Sequence, residues 1–170
     1  MSILDPLTST RRPRPGTPVL QSDEVRTRLL ALNRPSMPFR IVEGGGEGAD
    51  LTAEWKIVES EWQGWFARAG IRKVFRILLR FDPLQHVVRT IDRSYDVSWE
   101  GEVATLQVAV SAFRGQAQSI EFGQSFAYTE QRDSGEMVRY RFDTREMKKP
   151  IGDVVTDCGW TLKGVAFARL

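Results

Sequence analysis

Cysteine and histidine are almost missing from this chain: its 170 residues hold one of each, Cys158 and His86. A single cysteine rules out an internal disulfide and fits a reducing compartment. One Cys and one His, far apart in sequence, fall short of the several ligands a zinc site needs. No Asp-rich loop of the kind that holds calcium or magnesium is present either. No metal and no other cofactor are therefore expected. Long apolar runs are also lacking. Nothing approaches the ~20 consecutive apolar residues of a membrane-spanning helix, so no transmembrane segment is expected. Residues 1–16 have neither the apolar stretch nor the small-residue cleavage site of a secretory signal, and a cytoplasmic location is the expectation.

Aromatic residues are absent before Phe39, and all seventeen lie from there on. Proline shows the reverse bias, with six of its eight occurrences at or before Pro38. These two shifts coincide and set a boundary: a Pro/Arg-rich tail over 1–38 and one globular domain over 39–170. Charge divides at the same place. Residues 1–38 hold six arginines and three acids, net +3, while 39–170 hold 18 bases and 19 acids, net −1. The domain body is thus nearly neutral, whereas nucleic-acid-binding domains usually carry a basic patch or a high pI of their own. A nucleic-acid partner is not expected. With 41% hydrophobic residues, a chain of this length buries roughly two-thirds of the surface its unfolded form exposes, which excludes global disorder.

Within the tail, the consecutive X-Pro units of Arg12–Pro13–Arg14–Pro15 favour extended, solvated backbone, and residues 1–20 should pack weakly. Residues 23–33 read as a short helix. Ser22 stands at the capping position, Asp23 and Glu24 suit the positive end, and Val25, Leu29 and Leu32 share one face.

The body is read mainly as strands. Leu51, Ala53, Trp55 and Ile57 alternate with polar residues, the period-2 mark of a half-buried strand. Phe75, Ile77, Leu79 and Phe81 alternate with Arg72, Arg76 and Arg80 in the same way. Further strands are expected at 39–42, 86–92, 94–100, 103–112, 118–129, 136–143 and 160–168. Tyr95, Val97 and Trp99 are expected to face inward. Residues 60–70 switch to helical spacing, and a last helix is expected to start at Pro150, with Ile151, Val154, Val155 and Cys158 on one face and Gly159 at its end. Short links between consecutive strands imply antiparallel pairing. The fold class is α+β: a mostly antiparallel β meander or partly closed barrel with two to three short helices packed on it.

Catalytic arrangements are scarce. Gly44–Gly45–Gly46–Glu47–Gly48 lacks the Gly-Lys-Ser/Thr ending of a phosphate loop, contains an acid, and leads into a strand rather than a helix; a mobile hairpin loop is expected. His86 in a turn and Cys158 on an apolar helix face show no sign of meeting as a nucleophile and base. The feature that stands out is arginine. Arg72, Arg76 and Arg80 repeat at i, i+4, i+8, which on a strand places them on one face about 13 Å apart. Arg139 and Arg141 make a second, shorter stripe. Forked guanidinium donors on one face suit a phosphate or carboxylate ligand. The plainer alternative is cross-strand ion pairing with Asp92, Asp96, Glu100 or Glu121.

The reading that follows is a non-catalytic module binding a small anionic ligand or a protein. Two rivals stand beside it. One is a metal-independent enzyme using carboxylates such as Glu54, Glu121 or Asp143 with arginine in a sheet cavity. The other is a membrane-peripheral domain that binds anionic lipid.

Overall fold

The alternating apolar positions of the first half of the chain fold into a meander. In the computed structural model, residues 10–57, 59, 63–64, 66–67, 70, 72–101, 103–108, 114–115, 127–131, 137–141 and 144–165 are described. A helix, α1 (Ser22–Leu30), precedes five strands: β1 (Phe39–Glu43), β2 (Leu51–Trp55), β3 (Lys73–Asp82), β4 (Val87–Glu100) and β5 (Val103–Val108). They pair antiparallel in the order β1-β2-β3-β4-β5. Two short strands, β6 (Arg114–Gly115) and β9 (Thr161–Gly164), also pair with β4. Strands β7 (Ala127–Gln131) and β8 (Met137–Arg141) form a separate antiparallel hairpin, and the second helix, α2, spans Thr144–Asp157. The architecture is α+β, a curled and mostly antiparallel sheet open as a half-barrel. Among the described residues, two helices pack on it. The third expected helix, at 60–70, falls largely outside the described residues.

One face of the sheet carries the main core. Phe39, Ile41, Leu51, Ala53, Ile77, Leu79, Val88 and Leu162 meet Val25 and Leu29 of α1 and Met147, Ile151 and Val155 of α2, all buried. Each such side chain contributes roughly 1.5–3 kcal/mol on leaving water. Trp55 sits edge-on to Phe39 and Phe66, with ring centroids 6.5 and 6.2 Å apart. Val97 is buried as expected, while Tyr95 and Trp99 are partly buried against the same cluster.

Strand β4 runs unbroken through 93, where two strands were expected, because no turn residue interrupts it. Its length lets it serve three edge partners in succession: β9 along 87–90, β6 at 92–93 and β5 along 95–100. The β4–β9 pairing is parallel. Antiparallel pairing follows from short connections, and β9 enters from α2 rather than from a neighbouring strand.

Helix α2 begins six residues before the expected start and carries Pro150 inside it. An interior proline costs about 3 kcal/mol. Burial of Met147, Ile151 and Val155 at i, i+4, i+8 outweighs that. Gly159 ends the helix at φ +76, and the Trp160 N–H bonds back to the Val155 carbonyl at 3.1 Å, a Schellman-type closure.

Helix α1 stops at Leu30 rather than 33. Asn33 is engaged elsewhere: its Nδ2 donates to the Ile41 carbonyl at 2.8 Å and its Oδ1 accepts the Ile41 N–H at 2.6 Å. The side chain thereby acts as one more rung beside β1. The segment before α1 is not the extended, solvated backbone expected: it turns over Arg14–Thr17, where the Thr17 N–H bonds to the Arg14 carbonyl at 3.1 Å, and it is tied down. Arg11 and Leu162 exchange both backbone hydrogen bonds, at 2.8 and 2.9 Å. Arg11 Nη2 reaches Asp153 Oδ1 at 2.6 Å, and Trp160 Nε1 donates to the Leu20 carbonyl at 2.8 Å. The outer edge of β9 offers backbone groups that need partners, and the tail supplies them.

Candidate anion-binding face

The second face of the sheet is built from the residues that alternate with the core positions. In antiparallel pairs, directly opposed residues project on the same side. On β3 and β4 the register opposes Arg76 to Arg93, Leu78 to Ile91 and Arg80 to Arg89. On the other edge of β4, Lys163 stands beside Arg89, and the backbone of Arg114 pairs with that of Arg93. Two rows of cations therefore cross the sheet. Between them lies a small apolar cluster of Leu78 and Ile91, with Ala49 and Val165 packed against it.

Opposed like charges are costly. Opposed residues have Cβ atoms roughly 5 Å apart, and guanidinium groups held at that spacing would repel by roughly 1–3 kcal/mol, depending on how water-like the medium is. The structure offsets this with acids placed around the rows. Glu54 of β2 takes Arg76 Nε on Oε2 at 2.8 Å and Arg40 Nη2 on Oε1 at 2.7 Å. Arg40 Nη1 also reaches Glu59 at 2.8 Å. The hydrogen bonds that Arg40 donates to Glu54, partly opposed by burial, raise the Arg40 pKa above its ordinary value. Arg89 Nη2 meets Asp82 Oδ2 at 2.9 Å, and Arg93 pairs with Glu47. Arg76 also lies over the Tyr95 ring, 4.8 Å from its centroid, a favourable cation–π position.

Of the five arginines singled out in the sequence, Arg76 and Arg80 stand together on this face. Arg72 is exposed just before β3, where its carbonyl accepts the Val97 N–H at 2.8 Å. Arg139 and Arg141 belong to the β7–β8 hairpin, opposite Thr129 and Ala127, and their side chains lie outside the described residues. Arg89, Arg93 and Lys163 were not singled out, although the signal for two of them existed. An antiparallel hairpin turning at 83–86 opposes Arg89 to Arg80 and Arg93 to Arg76. The acids differ as well. Asp92 was weighed as a partner for the arginine stripe, yet it is buried on the core face and accepts a 2.6 Å bond from Lys148 Nζ of α2. Glu121 and Asp143 lie outside the described residues.

The His86 ring sits edge-on to Trp160 with centroids 5.6 Å apart. Cys158 is buried, and burial pushes its thiol pKa up, which disfavours the thiolate a nucleophile requires. No helix among the described residues is long and apolar enough to cross a membrane. Compared with protein-family models, curated proteins and solved structures, the chain shows no match.

Proposed function

We propose that this protein is a non-catalytic binding module whose cationic sheet face takes a small ligand bearing phosphate or carboxylate groups. One observation carries the proposal: two arginine pairs, Arg76–Arg93 and Arg80–Arg89, are opposed across neighbouring strands. Packing of the core on the other face does not require that arrangement, and a bound anion relieves whatever repulsion the surrounding acids leave uncompensated. An anion spanning several forked donors gains charge-assisted hydrogen bonds roughly twice as strong as neutral ones. Glu54 does not support the enzymatic alternative, since both of its carboxylate oxygens are engaged by Arg40 and Arg76. A general base needs an oxygen open to the proton it abstracts.

The test is binding of pyrophosphate, and separately of phosphatidylserine vesicles, by the unmodified protein and by a variant carrying Arg76→Gln and Arg80→Gln. Pyrophosphate binding that falls at least tenfold in the variant supports a soluble ligand. Vesicle binding without pyrophosphate binding moves the source of the anion to a lipid headgroup. Binding of neither by the unmodified protein overturns the proposal and leaves the arginines as partners in structural ion pairs.

A further inference from the structure

The loop joining β1 to β2 is exposed along residues 45–48. It folds back over the cationic face. Thr52 Oγ1 donates to the Gly44 carbonyl at 2.6 Å, the Gly44 N–H to the Asp50 carbonyl at 2.9 Å and the Ala49 N–H to the Gly46 carbonyl at 3.0 Å. Three contacts then bridge the loop to the two cation rows and the strip between them. Glu47 pairs with Arg93 of the first row. Ala49 packs on the Leu78–Ile91 cluster between the rows. Gly48 lies against Arg80 of the second row, so closely that an added methyl group would sit 3.1 Å from Arg80 Nη1.

The backbone that makes this possible is unusual. Gly44, Gly45, Gly46 and Gly48 all have positive φ, and Glu47 joins them at φ +54. Non-glycine residues occupy that region at a cost and persist there when other contacts hold them. For Glu47 the ion pair with Arg93 is one such contact. Among the acids that touch the cation rows, Glu54 and Asp82 stand on strands, whereas Glu47 is carried by a glycine-rich segment able to swing.

We infer that the 44–49 loop is an internal competitor for the cationic face: the Glu47 carboxylate occupies the position of the ligand's anionic group, and ligand binding displaces the loop. This rests on the function proposed above. A tethered carboxylate competes at an effective concentration set by its short tether. Removing its charge while keeping its shape should therefore strengthen binding of an external anion. The loop also covers the apolar strip, so its displacement exposes Leu78 and Ile91 between two rows of cations. A ligand with an apolar portion beside its acidic group would fit that strip.

The experiment compares the unmodified protein, Glu47→Gln, and the Arg76→Gln/Arg80→Gln variant, with pyrophosphate as the probe in low salt. Glu47→Gln should bind about two- to fivefold more tightly, the range expected for losing one partly exposed competing ion pair. In parallel, hydrogen exchange is followed on the unmodified protein with and without saturating pyrophosphate. The Ala49 amide should lose protection in the bound state. The Asp50 amide, bonded at 2.8 Å to the Leu79 carbonyl, should keep its protection and serves as the control. Equal affinity for Glu47→Gln and the unmodified protein, with Ala49 unchanged on binding, overturns the loop's role and leaves the anion site standing. No binding by either overturns both.

Discussion

Replacing Lys148 by methionine isolates an ion pair that joins the core face of the sheet to α2. Asp92 is 1% exposed, and Lys148 Nζ donates to its Oδ2 at 2.6 Å. Removing one partner of a buried pair costs about 3–5 kcal/mol, because the remaining charge stays desolvated. Lys148 is itself only half-buried, with 22% of its side chain exposed, so water reaches its end of the pair. The lower part of the range, about 3 kcal/mol, is therefore expected. For a domain of this size each kcal/mol moves the melting temperature by roughly 2–4 °C, so Lys148→Met should lower it by about 6–12 °C. Urea denaturation measures the free energy directly. The double change Asp92→Leu with Lys148→Met supplies the contrast: with both charges gone, the loss should be smaller than for Lys148→Met alone. A cost below about 1 kcal/mol for Lys148→Met, or a double variant as unstable as the sum of its single changes, would refute the reasoning.

Three further outcomes are expected. Trp55→Ala should cost about 3–5 kcal/mol in urea denaturation, since the ring is buried between Phe39 and Phe66; a near-neutral result would mean that its strand does not face the core. Cys158, buried with its thiol pKa raised, should react with Ellman's reagent far more slowly in the native protein than in urea, and equal rates would contradict its burial. The Lys149 ammonium and the Arg11 guanidinium hold the Asp153 carboxyl below its ordinary value of 3.8. The contribution of that contact is therefore fully present above pH 3.8 and lost as pH falls through the lower folded value. Amide resonances of Arg11 and Leu162 should shift with a midpoint under 3.8, and a midpoint at or above it would contradict the contact.

Much of the sheet was legible because burial on one face imposes period 2. Ile77 and Leu79 go to the core and Arg76 and Arg80 to the other side, as their alternation dictates. The hairpin register was legible too, but only to a reader who carried the turn at 83–86 through to the opposed pairs; the stripe on β3 alone hides the matching stripe on β4. What stayed out of reach was long-range. Nothing local marks β9 as a parallel partner of β4, because that pairing is set by where α2 delivers the chain. Asp92 reads as a surface acid until its strand position and Lys148 are seen together. Pro150 reads as a helix start, because the local rule carries no information about the apolar face that Met147 extends toward the N-terminus. Glu47 reads as a reason against anion binding, since an acid repels an anion. Placed on Arg93, the same acid instead marks where an anion fits.

The most direct test of the anion-binding face is a calorimetric titration of pyrophosphate into the unmodified protein over a series of salt concentrations. If the two arginine rows form the site, binding is saturable at low salt and weakens steadily as added salt screens the exposed charges. An absence of binding heat at every salt concentration, including the lowest, would contradict it.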